Sequence, residues 1–88
     1  MSYAVRVTSP AGRDLAQWLP ESVAVAVLEF IHGALAENPQ RVGKALLPPR
    51  HGQRSARRGQ YRVIYTIDDD AGLVTVLSIT HRRDGYRS

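Results

Sequence analysis

Cysteine is absent from the 88 residues. Disulfides and thiolate metal sites are thereby excluded, and a reducing compartment is compatible. Long apolar runs are missing as well. The longest, Val23 to Ile31, is interrupted by Glu29 and is too short to span a bilayer. The opening residues Met1-Ser2-Tyr3-Ala4-Val5-Arg6 lack the basic-then-apolar order of a signal peptide. A cytoplasmic protein without membrane attachment is the expectation. Hydrophobic residues still make up 43%, enough for one modest core and a single domain over residues 1–88.

Acidic residues are scarce where basic ones gather. Residues 41–88 carry ten Arg or Lys against Asp68, Asp69, Asp70 and Asp84, a net charge of +6, while residues 1–40 sit at −2. The cationic half is built mostly of arginine, whose planar fork matches phosphate. Nucleic acid or an acidic protein segment is the expected partner.

Tyr3 to Thr8 alternates and predicts a strand, with Val5 and Val7 on one face. Ser9-Pro10 opens a helix, serine as N-cap and proline at N1, with Leu15, Trp18 and Leu19 as its apolar stripe. Pro20 breaks that helix and falls in the first turn of a second. Glu21 to about Glu37 places Ala24, Val27, Leu28, Ile31 and Leu35 at helical spacing, and Asn38-Pro39 ends it. Gln40 to Gly52 reads as a loop, followed by a hairpin, a turn at Asp68 to Gly72, a last strand from Leu73 and a polar tail from His81. The fold class is α+β with order β-α-α-β-β-β: a helical hairpin on one face of a mainly antiparallel sheet.

Gly59 supplies the positive φ of a tight turn between Arg58 and Tyr61, so Arg57 falls opposite Arg62. Like charges facing each other across a ladder are destabilising; either both arginines splay into water at little cost, or an anion lies between them, and further arginines converging on the same face favour the anion. Strand parity places Tyr61, Val63, Tyr65 and Ile67 on one face and Arg62, Ile64 and Thr66 on the other. In the last strand it sets Leu73, Thr75, Leu77 and Ile79 beneath the helices, with Val74, Val76, Ser78, Thr80 and Arg82 opposite. Ser55, Arg57, Arg62 and Arg82 then converge on a helix-free face.

The chain resembles the RelE/ParE superfamily of bacterial toxins, closest to the RelE branch. The resemblance rests on Ala11-Gly12-Arg13-Asp14-Leu15, Leu19-Pro20 and Pro39-Gln40-Arg41-Val42-Gly43-Lys44-Ala45-Leu46. It also rests on the run from Ser55 to Asp69 and on His81-Arg82-Arg83-Asp84-Gly85-Tyr86-Arg87. It implies a RelE-like, microbial-RNase-like fold and the toxin of a type II toxin–antitoxin system. The implied activity is that of a metal-independent endoribonuclease, an mRNA interferase that cuts message in the ribosomal A site and so inhibits translation. The attacking group is the neighbouring ribose 2′-OH, and no cofactor is implied. The implied partners are the ribosome, mRNA and a cognate antitoxin, acidic and partly disordered, in a hetero-oligomer. By resemblance Arg62 contacts the scissile phosphate, Arg82 lies near the leaving oxygen, Arg57 is a basic neighbour and Tyr86 orients or stacks on the nucleotide. Lys44, Arg50, Arg54, Arg58 and Arg83 are candidate RNA-binding residues.

The chain departs from relatives that carry lysines on the strand before the turn, where it has Arg54, Ser55, Arg57 and Arg58. Arginine stays protonated and is a poor base. The candidate proton acceptors are His81, His51, Lys44 and Tyr86. His81 also reads as a packing residue that ends the helix-facing set of the last strand, and both readings stay open. Asp68-Asp69-Asp70 lacks the spacing of a calcium loop. Trp18 and Phe30 are expected in the core. Two other functions compete: a ParE-like toxin that inhibits gyrase by binding protein, and a non-enzymatic module that docks an acidic peptide or RNA.

Overall fold

Alternation at Val5 and Val7 does produce a strand, β1 (Ala4–Val7), and the residue after it turns the chain into a helix. The computed structural model describes residues 2–46 and 52–81. Thr8, rather than Ser9, is the N-cap of α1 (Ser9–Arg13): its Oγ1 accepts the Ala11 N–H at 3.4 Å, and Pro10 lies inside the first turn. A π-helical turn, Asp14–Trp18, extends α1. Pro20 then precedes α2 (Glu21–Phe30) as its cap residue, one position earlier than expected, and a second π-helical turn, Ile31–Leu35, continues α2.

The segment expected as a loop has structure of its own. Pro39 starts a short helix, α3 (Pro39–Val42), followed by a two-residue edge strand, β2 (Lys44–Ala45). Then come β3 (Arg54–Arg58), β4 (Tyr61–Asp68) and β5 (Leu73–His81). The five-stranded sheet has the order β1-β5-β4-β3-β2, antiparallel except where β1 runs parallel to β5. Helices pack on one face: Ala11, Val27, Ile31 and Leu35 meet Ala56, Val63, Tyr65, Val74, Val76 and Ile79 in one buried cluster. Each fully buried side chain the size of Ile31 or Leu35 contributes about 1.5–3 kcal/mol.

The parity read for β5 is half right. The register steps from Ile64 opposite Ser78 to Tyr65 opposite Val76, leaving Leu77 as an extra, bulged residue. Beyond the bulge, Ile79 faces the helices and Thr80 stands opposite Arg62, as expected. Before it the faces are exchanged, so Val74 and Val76 are in the core. The bulge is held from outside the strand. Thr8 Oγ1 lies 3.0 Å from both the Val76 and the Leu77 carbonyl oxygens, donating to them, and Asp14 Oδ2 accepts the Ile79 N–H at 2.9 Å.

Trp18 is 76% exposed and is not a core residue. The first helix turns its Ala11 and Leu15 inward and leaves Trp18 at the solvent edge of its π-helical turn. Phe30 packs partly buried against the core, and His32 is exposed. Among the described residues no helix is long and apolar enough to cross a membrane.

Candidate functional site

A two-residue turn fixes the register at the centre of the site. Gly59 has φ 62° and Gln60 does not share a positive φ, the pattern of a hairpin turn with glycine at its first central position. Arg58 therefore pairs with Tyr61, and Arg57 stands directly opposite Arg62. The next partner along this row is Thr80 on β5. A second row, two residues away, runs Lys44, Ser55, Ile64 and Ser78 across four strands. Both rows lie on the face opposite the helices.

Between this face and the α3–β2 segment runs an open groove of about 650 Å³, lined by Gly43, Lys44, Leu46, Ser55, Arg57 and Arg62. Three cationic side chains and a hydroxyl thus share one concavity. Such a surface suits a polyanion, with guanidinium donors of Arg57 and Arg62 available to one phosphate.

Other candidate residues lie elsewhere. Arg54 is on the helix side of β3. Its Nη2 donates to the Gln40 carbonyl at 2.8 Å and to the Gly43 carbonyl at 3.1 Å, and its Nε is buried. The Arg54 guanidinium is thus engaged by the α3–β2 segment and does not line the groove with Arg57 and Arg62. Arg58 is also on the helix side and lines a separate cleft of about 410 Å³ with Val23, Val27, Tyr61 and His81. His81, opposite Tyr61 in the register, meets that ring edge-on with centroids 5.1 Å apart and planes at 88°. It lines the helix-side cleft and not the Arg57–Arg62 groove, the placement that its packing reading expects. Strand alternation sets both placements: Arg54 pairs with the buried Tyr65 across β3 and β4, and His81 follows Ile79 two residues on along β5. Arg50, His51, Arg82, Arg83 and Tyr86 lie outside the described residues.

Two carboxylates of the acidic turn, Asp68 and Asp69, are engaged in hydrogen bonds. Asp68 Oδ1 accepts the Ala71 N–H at 3.0 Å; Asp69 accepts from the Tyr3 hydroxyl and, at 2.8 Å, from Gln40 Nε2. Among the described residues no group of three or more His, Asp or Glu is arranged to hold a metal ion.

One cluster went unnoticed in the sequence. Tyr65 is fully buried and its hydroxyl donates to the Pro39 carbonyl, while Arg54, its partner across the ladder, takes the carbonyls of Gln40 and Gly43. Burial pushes the Tyr65 phenol up from its ordinary value of 10.0, with the Arg54 guanidinium opposing the shift. Gly43 next to a later buried tyrosine was the available signal.

A family model described as the ParE toxin of the type II toxin–antitoxin system parDE matches residues 5–86. The chain is 48% identical over 85 residues to Toxin RelE of Mycobacterium tuberculosis, covering 97% of the chain and 87% of that relative. It is 48% identical over 87 residues to Toxin RelG of the same organism, covering 99% of each. Among solved structures it is similar to the toxin–antitoxin complex RelBE2 from Mycobacterium tuberculosis, with 46% identity, a TM-score of 0.89 and 93% of each chain covered.

Proposed function

The chain belongs to the RelE/ParE family of toxins of type II toxin–antitoxin systems, and from that membership we propose a particular activity: endonucleolytic cleavage of mRNA in the ribosomal A site. The ribose 2′-OH gives up its proton and attacks the adjacent phosphate. The bond from phosphorus to the 5′-oxygen of the next nucleotide breaks and that oxygen takes up a proton, leaving a 2′,3′-cyclic phosphate. The phosphorane-like transition state gains negative charge. Arg57 and Arg62 favour that state over the ground state, since fixed cationic donors act most strongly where charge develops. Lys44 and Ser55 hold the flanking backbone. The ribosome supplies the RNA geometry, so proximity replaces much of the need for a strong base. The observation that carries this reading is the direct opposition of Arg57 and Arg62 on an open sheet face. Arg82 and Tyr86 are proposed to complete the set.

A cognate antitoxin is the proposed partner. An acidic, partly disordered segment suits a chain of net charge +4. Trp18, 76% exposed, and Val25, 50% exposed, give such a segment apolar surface on the helical side.

The test is to induce the protein in bacteria and map transcript ends, with Arg62→Ala as control. Cuts in ribosome-bound message that vanish in Arg62→Ala, while antitoxin binding persists, support the proposal. Undiminished growth arrest by Arg62→Ala overturns it. The family model is described by ParE toxins, and gyrase-linked DNA damage without new transcript ends identifies that second reading. A peptide- or RNA-docking module gives neither signal.

A further inference from the structure

We propose that Arg54 and Tyr65 are positioning residues for the groove: together they latch the α3–β2 segment against β3 and β4 and so fix Lys44 across from Arg57 and Arg62. This rests on the nuclease reading above and deepens it.

β2 is too short to hold its own place. It makes two register pairs, Lys44 with Ser55 and Ala45 with Arg54, and the Leu46 N–H adds one bond to the Gln53 carbonyl at 3.0 Å. A two-residue strand at a sheet edge is marginal by itself. α3 has four residues, and the carbonyls at its C-terminal end have no partners within the helix. Three carbonyls of this stretch, on Pro39, Gln40 and Gly43, are taken by side chains of Arg54 and Tyr65. Those two residues are directly opposed on neighbouring strands, one of which also carries Arg57 and the other Arg62. The latch and the cations of the groove therefore share one rigid hairpin, on its two faces.

Gly43 completes the arrangement. A Cβ there would fall within the envelope of the Tyr65 hydroxyl and 2.9 Å from the Ser55 carbonyl oxygen, so the segment approaches the sheet as closely as backbone allows. Lys44 is the next residue and lines the groove. With the chain held at 39, 40 and 43, its position follows from the latch.

The experiment is a double-mutant cycle on cleavage of mRNA bound to ribosomes. Single-turnover rates are measured for wild type, Arg54→Met, Lys44→Ala and the double variant, each corrected for the folded fraction from circular-dichroism melts. Arg54→Met is expected to slow cleavage by about 10- to 100-fold, because misplacing a contact by an ångström costs that much. In the double variant the loss is no greater than in the more damaged single variant. Tyr65→Phe, which keeps the ring and removes the hydroxyl with its bond to Pro39 and its interaction with Arg54, shows the same non-additivity with Lys44→Ala at smaller amplitude. If Arg54→Met leaves too little folded protein, Arg54→Lys, with one donor group in place of the fork, enters the same cycle. Losses that multiply overturn the latch, since a residue needed only for folding has no reason to couple to Lys44. Arg62→Ala separates the two failures: if it cuts at the wild-type rate, the nuclease reading falls and the latch with it; if it is inactive and the cycle is additive, only the latch falls.

Discussion

The carboxylate of Asp14 accepts the backbone N–H of Ile79 at 2.9 Å, a bond between residues 65 positions apart. It stands where β1 has ended and the edge of β5 has lost its strand partner. A side chain from the first helix thus substitutes for a missing strand, just past the bulge that sends Thr80 to the Arg62 face.

Replacing Asp14 by alanine leaves that N–H without its acceptor in a part-buried site. A loss of about 1–3 kcal/mol is expected, read as a lower urea midpoint with unchanged slope. Asp14→Asn keeps an acceptor oxygen and retains most of the stability. An alanine variant as stable as the parent would show that the bond carries no weight.

Gly43→Ala forces a methyl against Tyr65 and Ser55. Overpacking of this kind costs about 1–3 kcal/mol. In a Tyr65→Phe background the same substitution costs less, because the collision with the hydroxyl is gone, while the Ser55 carbonyl oxygen at 2.9 Å and the ring carbon Cζ at 3.0 Å remain. Equal costs in the two backgrounds would mean that the segment yields elsewhere. Gly43 needs its small size for this approach and not for its backbone angle, as its φ is −125°.

Tyr65 makes alkaline pH destabilising. Its phenol titrates above 10.0 in the folded chain because burial disfavours the phenolate. The unfolded chain releases that proton first, so the contribution is complete below pH 10 and is lost as pH climbs through the raised folded value. Urea midpoints measured from about pH 9 to about pH 11.5 should fall more steeply in wild type than in Tyr65→Phe. Parallel curves would assign the alkaline loss to other groups.

His81 packs edge-on against Tyr61 on the helix side. His81→Phe preserves an aromatic ring there, and its pH–rate profile for cleavage should overlay that of the parent. A general acid or base would instead cost about 10²–10⁴ in rate. A drop of that size would return His81 to the catalytic set.

The hairpin was legible because its information is local. A glycine at the turn and alternation on both sides set the pairing of Arg57 with Arg62 within a few residues, whatever the rest of the chain does. The helical hairpin was legible for the same reason, through the spacing of Val27, Ile31 and Leu35. Trp18 was misread because periodicity names a stripe without saying where the stripe ends against solvent. The structured piece at 39–45 was missed because its short elements are held by distant side chains and not by propensity.

Residue types and short-range spacing alone therefore determined the strand–turn–strand unit, the two long helices and the basic character of the second half. Tertiary structure decided which face each end of β5 presents, because a single bulged residue, secured by Thr8 and Asp14 from the other end of the chain, exchanges the faces. It also decided what meets the Arg57–Arg62 pair and what Arg54 meets, because the α3–β2 segment brings Lys44 to the groove and offers its carbonyls on the other face. Arg54 and Arg57 are three residues apart on one strand, and the pleat sends one to the carbonyls of α3 and the other to the open face.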